Sequence, residues 1–312
     1  MVTNSIFVQL PAYRDLELPE TIKNAIEMSS GNNKIVFGVH NCTLEQDSIS
    51  ISHVNTPEHV EIRYIESIAP DNIGVQLSRY MANELYIDED FYLQTDAHMR
   101  FQKNWDELAI QDYRWYENIG IAKPLITMYP PNYRYIENGS VILEDHFEQK
   151  NTRVSFKERI DSFELGFIPS QLAITTPPGC QYTSSVAGGM IFTDGSFAKI
   201  KPNKKVAFWG EEILIAARAF THGFNIVTAR NHLVWHLYHS GQPYHLARRH
   251  HAWADWPDLW PTLDKESRLE VKSIFELERI GEDALGSVRT LSEFGVFAGL
   301  DFKNKKVITT RD

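Results

Sequence analysis

The sequence predicts an α/β fold: a mostly parallel sheet flanked by helices, with a loop-rich C-terminal half. Three observations predict it. Through residue 129, strand-length apolar runs alternate with segments whose apolar residues recur at helical spacing, the pattern of βαβ units. Beyond that point, Pro-, Gly- and Asn-rich stretches such as "YPPNYRYIENGS" and "TTPPGCQYTSS" read as loops. No repeat, low-complexity run or linker interrupts residues 1–312, so one domain is expected.

The elements follow in order. "SIFVQL" is rich in β-formers and is expected to stop at Pro11. "LPETIKNAIEMSS" places Pro19 in a first helical turn and Ile22, Ala25 and Ile26 on one face. "KIVFGVHN" and "VEIRYIES" read as the second and third strands. "NIGVQLSRYMANELY" repeats Ile73, Leu77, Met81 and Leu85 at helical spacing. "DFYLQTDAHMRF" is the fourth strand, and "NWDELAIQDYRWYENIG" a helix with Asn104 and Glu107 spaced as a capping box. In the second half, "AGGMIFTDGSF" holds a short strand. "WGEEILIAARAFTHG" is a helix ending at Gly223, "NIVTARNHLVWHLYHS" is extended with a turn, and "DKESRLEVKSIFELERIG" is a helix.

The formal charge of −10 argues against the broad basic face of a nucleic-acid binder. It leaves room for a small anionic ligand met by a few arginines or a divalent cation. Apolar runs stay below the ~18 residues of a membrane span. The N-terminus lacks the basic-then-apolar pattern of a signal peptide. Cys42 and Cys180 are the only cysteines, which argues against a disulfide framework, excludes a CxxC metal motif and fits a reducing cytoplasm.

Asp96 and His98 stand one residue apart at the end of the fourth strand. Strand alternation lets both point the same way, and a carboxylate with an imidazole suits Mn²⁺ or Zn²⁺ better than Ca²⁺. D-x-H alone is a weak pattern, and a capping aspartate with an exposed histidine is its commoner explanation. A third ligand is available in "HLVWHLYH". As a helix, this stretch puts His232, His236 and His239 on one face. As a strand, which its β-branched and aromatic content favours, it lets only one of His236 and His239 join. His245, His250 and His251 suit a solvated, basic loop.

In an open parallel sheet, ligands bind beyond the carboxyl ends of the strands. "PAYRD" follows the first strand and "DAH" the fourth, so Tyr13, Arg14 and Asp15 are expected at the same edge as Asp96 and His98. The ring of Tyr13 can stack on a base, and Asp15 can accept from ribose hydroxyls; a turn with a surface ion pair is the alternative. Arg79 can meet a phosphate or lie on a solvated helix face. Gly188 and Gly189 mark a bulge or a close backbone approach. Glu211 and Glu212 are either dipole-stabilised acids at a helix start or acceptors for sugar hydroxyls, with Trp209 as a platform. No G-x-G-x-x-G or P-loop pattern is present.

"IFVQLPAYRD", "GVQLSRYMANELYIDEDFYLQTDAHMRF", "AGGMIFTDGSF", "WGEEILIAARAFTHGFNIVTARNHLVWHLYH" and "RTLSEFGVFAGLDF" occur in this order. Together they resemble the N-acetylglucosaminyltransferases that modify hydroxyproline on a cytoplasmic ubiquitin-ligase adaptor, and their bacterial relatives. More distantly the chain is similar to the mucin-type polypeptide N-acetylgalactosaminyltransferases, which also use D-x-H and a distant histidine. The resemblance covers most of the chain and is weakest over 130–175 and after Gly241. It implies a GT-A fold with a nucleotide-binding half over 1–129 and a sugar and acceptor half over 130–312. It also implies a UDP-sugar donor, UDP-GlcNAc first, with Mn²⁺ as cofactor and retention of anomeric configuration. By this likeness Asp96, His98 and His236 hold the metal, with His239 in reserve. Tyr13, Arg14, Asp15 and Arg79 bind the nucleotide. Gly188, Gly189 and Trp209 face the sugar, and Asp96, Glu211 and Glu212 are the catalytic carboxylates. The acceptor is a protein or glycan hydroxyl. A catalytically silent nucleotide-sugar-binding module and a zinc hydrolase are the competing expectations.

Overall fold

The computed structural model describes residues 4–47, 49–144, 151–156, 171–176, 182–238, 250–304 and 306–307. The chain opens with β1 (Ser5–Tyr13), α1 (Leu18–Met28), β2 (Lys34–Thr43), β3 (Val60–Ile68), α2 (Val75–Asn83) and β4 (Phe91–Thr95). It continues through β5 (Met99–Phe101), α3 (Trp105–Asn118), β6 (Pro124–Thr127), β7 (Tyr133–Tyr135), β8 (Val141–Leu143), β9 (Asn151–Phe156) and β10 (Gln171–Thr176). β11 (Met190–Asp194), α4 (Glu211–Thr221), β12 (Asn225–Thr228) and β13 (Val234–His236) follow. The described chain closes with α5 (Ala252–Asp255), α6 (Trp260–Glu276), α7 (Leu291–Ala298), β14 (Leu300–Asp301) and β15 (Lys306–Val307).

Seven strands form the central sheet in the order β12-β6-β11-β4-β1-β2-β3. β1 runs parallel to β2 and β4, β2 to β3, and β12 to β6. Only β11 is antiparallel to its neighbours. The sheet is therefore mostly parallel, as the alternating pattern predicts. Helices cover both faces, which is why the central strands read as nearly continuous apolar runs. Ile6, Val8 and Leu10 of β1 pack with Leu18, Ile22 and Ala25 of α1 and Trp105 and Ala109 of α3. Phe7, on the opposite face, packs with Val36, Tyr92 and the apolar sides of α4, α6 and α7.

Local expectations fail where tertiary contacts override them. β1 runs through Pro11 to Tyr13, because β4 pairs with it only from Ile6 to Gln9. Beyond that point β1 has a sheet neighbour on one side only, where a missing N–H is tolerated. "YRYIENGS", read as loop, contributes to the antiparallel pair β7–β8. Asn104 is left-handed (φ 59°) and does not cap α3. Asp106 is used instead on a neighbouring loop, accepting from Ser30 N at 2.8 Å and Asn33 Nδ2 at 2.8 Å.

The largest departure is α2. Its expected stripe is only half-buried at Leu77, Met81 and Leu85. The buried positions are Gln76, Ser78, Arg79, Ala82 and Asn83. This polar face lies over the site end of the sheet, where Gln9 donates to Arg79 O (2.9 Å) and Asn83 Oδ1 (3.2 Å). Gly38 permits the approach: a Cβ there would stand 2.1 Å from the Phe7 ring and 3.0 Å from Ala82 O.

His40 of β2 is fully buried between Ser78 Oγ (2.7 Å) and Ser67 Oγ (2.9 Å). Burial lowers its pKa to about 4. The unfolded chain therefore binds a proton near pH 6.5 that the folded chain refuses until about pH 4. The stability is complete above pH 6.5 and is lost as pH falls through this window, by up to about 3 kcal/mol. Urea denaturation of wild type and His40→Gln at pH 7 and pH 4.5 should show the smaller acid loss in the variant.

Candidate active site

β4 pairs with β1 as far as Gln94, and the chain then turns at Asp96–His98. The single fourth strand expected through Phe101 is thus two. β5 leaves the central sheet and pairs antiparallel with β13. The turn is held by α1, where Thr21 Oγ1 donates to Ala97 O (2.7 Å) and accepts from Met99 N (3.0 Å). Register does the rest: His236 pairs with Met99, directly after His98.

Asp96, His98 and His236 consequently converge, with one ligand atom from each lying within 4.8 Å of the others. His98 Nε2 is 3.0 Å from His236 Nε2, which in turn is 3.5 Å from Asp96 Oδ2. On its other ring nitrogen, His98 meets Asp15 Oδ2 at 2.7 Å. One carboxylate oxygen and two imidazole nitrogens aimed at a common point fit Mn²⁺ or Zn²⁺. His239 lies outside the described residues.

Arg79 lies beneath this group, 1% exposed. Its guanidinium donates to Asp96 Oδ1 (2.8 Å), Gly188 O (2.9 Å), Glu211 Oε1 (2.8 Å) and Thr95 O (3.1 Å). Burial alone would raise the pKa of Asp96. The hydrogen bond from His236 and the charge of Arg79 outweigh it and hold Asp96 well below the usual carboxylate range. For Glu211 burial wins over the same arginine, and its pKa is raised. The pKa values of the two carboxylates around Arg79 are therefore moved in opposite directions.

Gly188 and Gly189 form the opposing wall. Gly188 N donates to Glu212 Oε1 (2.8 Å), and Gly188 O accepts from Gln94 Nε2 (2.8 Å). A Cβ on Gly189 would stand 2.7 Å from Asp96 Oδ2, whereas one on Gly188 meets nothing closer than 3.5 Å. Glu211 and Glu212 open α4 as expected, yet both are turned into this network.

A cavity of about 160 Å³ adjoins Asp96 and His98, walled by Tyr13, Ser78, Phe208, Trp253 and Trp260. Trp209 does not line it. That residue is 49% exposed beneath the guanidinium of Arg268, 5.4 Å from its ring centre. Tyr13 OH donates to Asp255 Oδ2 (3.0 Å) and accepts from Trp256 Nε1 (2.8 Å). Arg14, left-handed at φ 47°, is paired with Asp47 (2.8 Å) and Asp255 (2.8 Å).

The structure thus joins Asp15, Arg79, Asp96, His98, Gly188, Gly189, Glu211, Glu212 and His236 in one network. Tyr13 walls the cavity, whereas Arg14 does not line it and commits its guanidinium to Asp47 and Asp255. Sequence reasoning missed Asp47, Asp255 and Trp253. The aromatic run "HHAWADW", whose histidines suited a solvated loop, is the signal that could have found the last two.

The sheet order and the flanking helices define the class: a GT-A fold. The chain belongs to the GlcNAc glycosyltransferase family, whose model, described as "Glycosyltransferase (GlcNAc)", matches residues 5–67 and 52–304. No curated protein matches the chain. GalNAc-T7, solved with UDP, GalNAc and Mn²⁺, is similar over 94% of this chain and 54% of its own, with TM-score 0.54 and 14% identity. This chain therefore spans about half the length of that relative. S. aureus TarS 1–349 is similar over 97% of this chain and 71% of its own, with TM-score 0.50 and 12% identity. S. aureus TarS covers 99% and 44%, with TM-score 0.51 and 11% identity. Likenesses this distant carry the fold, and they bear out the GT-A architecture.

Two substitutions test the site. Gly189→Ala displaces the Asp96 carboxylate and should weaken divalent-cation binding to the Asp96, His98 and His236 group roughly 10-fold in calorimetry, while Gly188→Ala should change it little. Arg79→Met strands the buried Glu211 and the half-buried Asp96 and should lower unfolding free energy in urea by about 3–5 kcal/mol.

Proposed function

We propose that this chain is a Mn²⁺-dependent, retaining glycosyltransferase that moves GlcNAc from UDP-GlcNAc to a hydroxyl of a protein or glycan acceptor. The observation that carries the reading is the convergence of Asp96, His98 and His236 beside a cavity at the carboxyl ends of β1 and β4. Family membership supports the donor sugar. The GalNAc-T7 structure, which holds UDP, GalNAc and Mn²⁺, supports the donor class and the metal.

Asp96, His98 and His236 would hold the cation, which supplies Lewis-acid neutralisation of charge on the leaving diphosphate. Tyr13 offers an aromatic wall for the base, with Arg14 at the same edge. Arg79 keeps Asp96 ionised from below and fixes the carbonyl of Gly188. Glu212 holds the Gly188 N–H, so the glycine wall facing the sugar is rigid. Glu211, tied to Arg79 and Gln76 (3.0 Å), positions that wall. The acceptor hydroxyl attacks from the leaving-group side and passes its proton to the diphosphate, so no protein nucleophile is required. No described helix is long and apolar enough to cross a membrane. With two cysteines in the chain, we place the protein in the cytoplasm.

UDP release from UDP-GlcNAc should require Mn²⁺ and fall at least a hundredfold in Asp96→Ala. Proton NMR of the product should show the donor's anomeric configuration. UDP-GlcNAc that binds but is never consumed would mark a silent binding module. Zn²⁺ with no UDP affinity would mark a hydrolase. Among the late histidines, His236→Ala should weaken Mn²⁺-dependent UDP binding more than His239→Ala; the reverse order overturns the ligand assignment.

A further inference from the structure

We propose that Asp15 is a positioning residue for His98 rather than a contact for the nucleotide: it fixes the imidazole so that Nε2 presents its lone pair to the point shared with Asp96 and His236. This inference rests on the metal-dependent reading above.

Asp15 and His98 are both more than nine-tenths buried, and Asp15 Oδ2 lies 2.7 Å from His98 Nδ1. An ionised carboxylate only accepts hydrogen bonds, so Nδ1 carries the proton. In the neutral ring, Nε2 is then the unprotonated nitrogen, and it is the one that faces His236 Nε2 at 3.0 Å. The carboxylate is itself anchored: Asp15 Oδ1 accepts from Glu17 N at 2.9 Å, at the entry to α1. The same helix pins the backbone on both sides of His98, through Thr21 with Ala97 O and Met99 N.

Ring, tautomer and backbone of this one ligand are therefore all set by residues 15–21. A carboxylate behind a ligating imidazole orients the ring and raises its basicity, and losing it typically weakens metal binding roughly 10–100-fold. Asp15 also borders the cavity. A nucleotide contact and a positioning role therefore make different predictions for one residue.

The test measures UDP binding by calorimetry, without metal and across a Mn²⁺ titration, for wild type, Asp15→Asn and Asp15→Ala. ¹⁵N NMR reads the His98 tautomer in the wild type. Metal-free UDP affinity should stay within about twofold, while the Mn²⁺ concentration needed for tight binding rises roughly 10–100-fold in Asp15→Ala and less in Asp15→Asn. Wild-type His98 should carry its proton on Nδ1. A fall in metal-free UDP affinity with unchanged Mn²⁺ dependence makes Asp15 a nucleotide contact and overturns the inference. Unchanged Mn²⁺ dependence in both variants, or a proton on Nε2 in the wild type, overturns it equally. If wild type shows no Mn²⁺ dependence at all, the metal-dependent reading fails instead, and the tautomer still reports on Asp15. Should Asp15→Ala not fold, the isosteric Asp15→Asn and the wild-type spectrum carry the test.

Discussion

A buried guanidinium organises this site. Arg79 is nearly inaccessible to water, yet it meets Asp96, Glu211, two backbone carbonyls and the amide oxygen of Gln9. A cation this deep is tolerable only when every donor is met and its charge is balanced. Two carboxylates supply the balance from opposite sides, one at the end of β4 and one at the start of α4. The arginine therefore ties together parts of the chain 132 residues apart. Around it the two pKa values move in opposite directions. Asp96 has His236 as a further donor and stays ionised, whereas Glu211 is more deeply desolvated and its pKa rises.

The break after Thr95 is the geometric counterpart of this charge arrangement. Had β4 continued in the central sheet, Asp96 and His98 would have stayed beside β1, far from β13. By turning there, the chain hands its next three residues to a second small sheet whose partner strand ends in His236. The distant histidine is thus delivered by strand register, a backbone constraint, rather than by a flexible loop. Thr21 replaces the sheet hydrogen bonds that the turn forfeits, so a polar side chain on α1 is needed where its neighbours Leu18, Ile22 and Ala25 are apolar.

The alternation of strands and helices was legible because burial on both sheet faces leaves a dense apolar signal. The D-x-H pair and the strand character of "VWHLY" were legible for the same reason: local composition determined them. The inward face of α2 was not. Its apolar residues at helical spacing suggested a core stripe, but the helix crosses the sheet where the site needs polar groups. Satisfying Gln9, Asp96 and Glu211 outweighed burying Leu77 and Met81. Asn104 and Glu107 matched a capping box in spacing, yet the loop at Ser30–Asn33 claimed the first turn of that helix. Nothing local distinguishes Trp209, which faces solvent, from Phe208, which lines the cavity. The difference arises from the direction in which the chain enters α4 at left-handed Gly210.

The cavity is closed by a similar long-range pairing. Tyr13 ends the first strand and Arg14 follows it, and Asp255 and Trp256 lie 241 to 243 residues later. Asp255 accepts from both Tyr13 and Arg14, so the aromatic wall and the cation beside it share one anchor. Asp47 takes the remaining face of Arg14 through two bonds. Immediately beyond, Asp15 turns the other way, to His98. Three consecutive residues thus link the C-terminal wall of the cavity to the converging ligands on its opposite side. The left-handed backbone at Arg14 accompanies this reversal, and strain at a non-glycine residue persists where surrounding contacts over-determine it. Here Asp47, Asp255, Trp256 and His98 do so, and the tripeptide joins the C-terminal wall to the converging ligands.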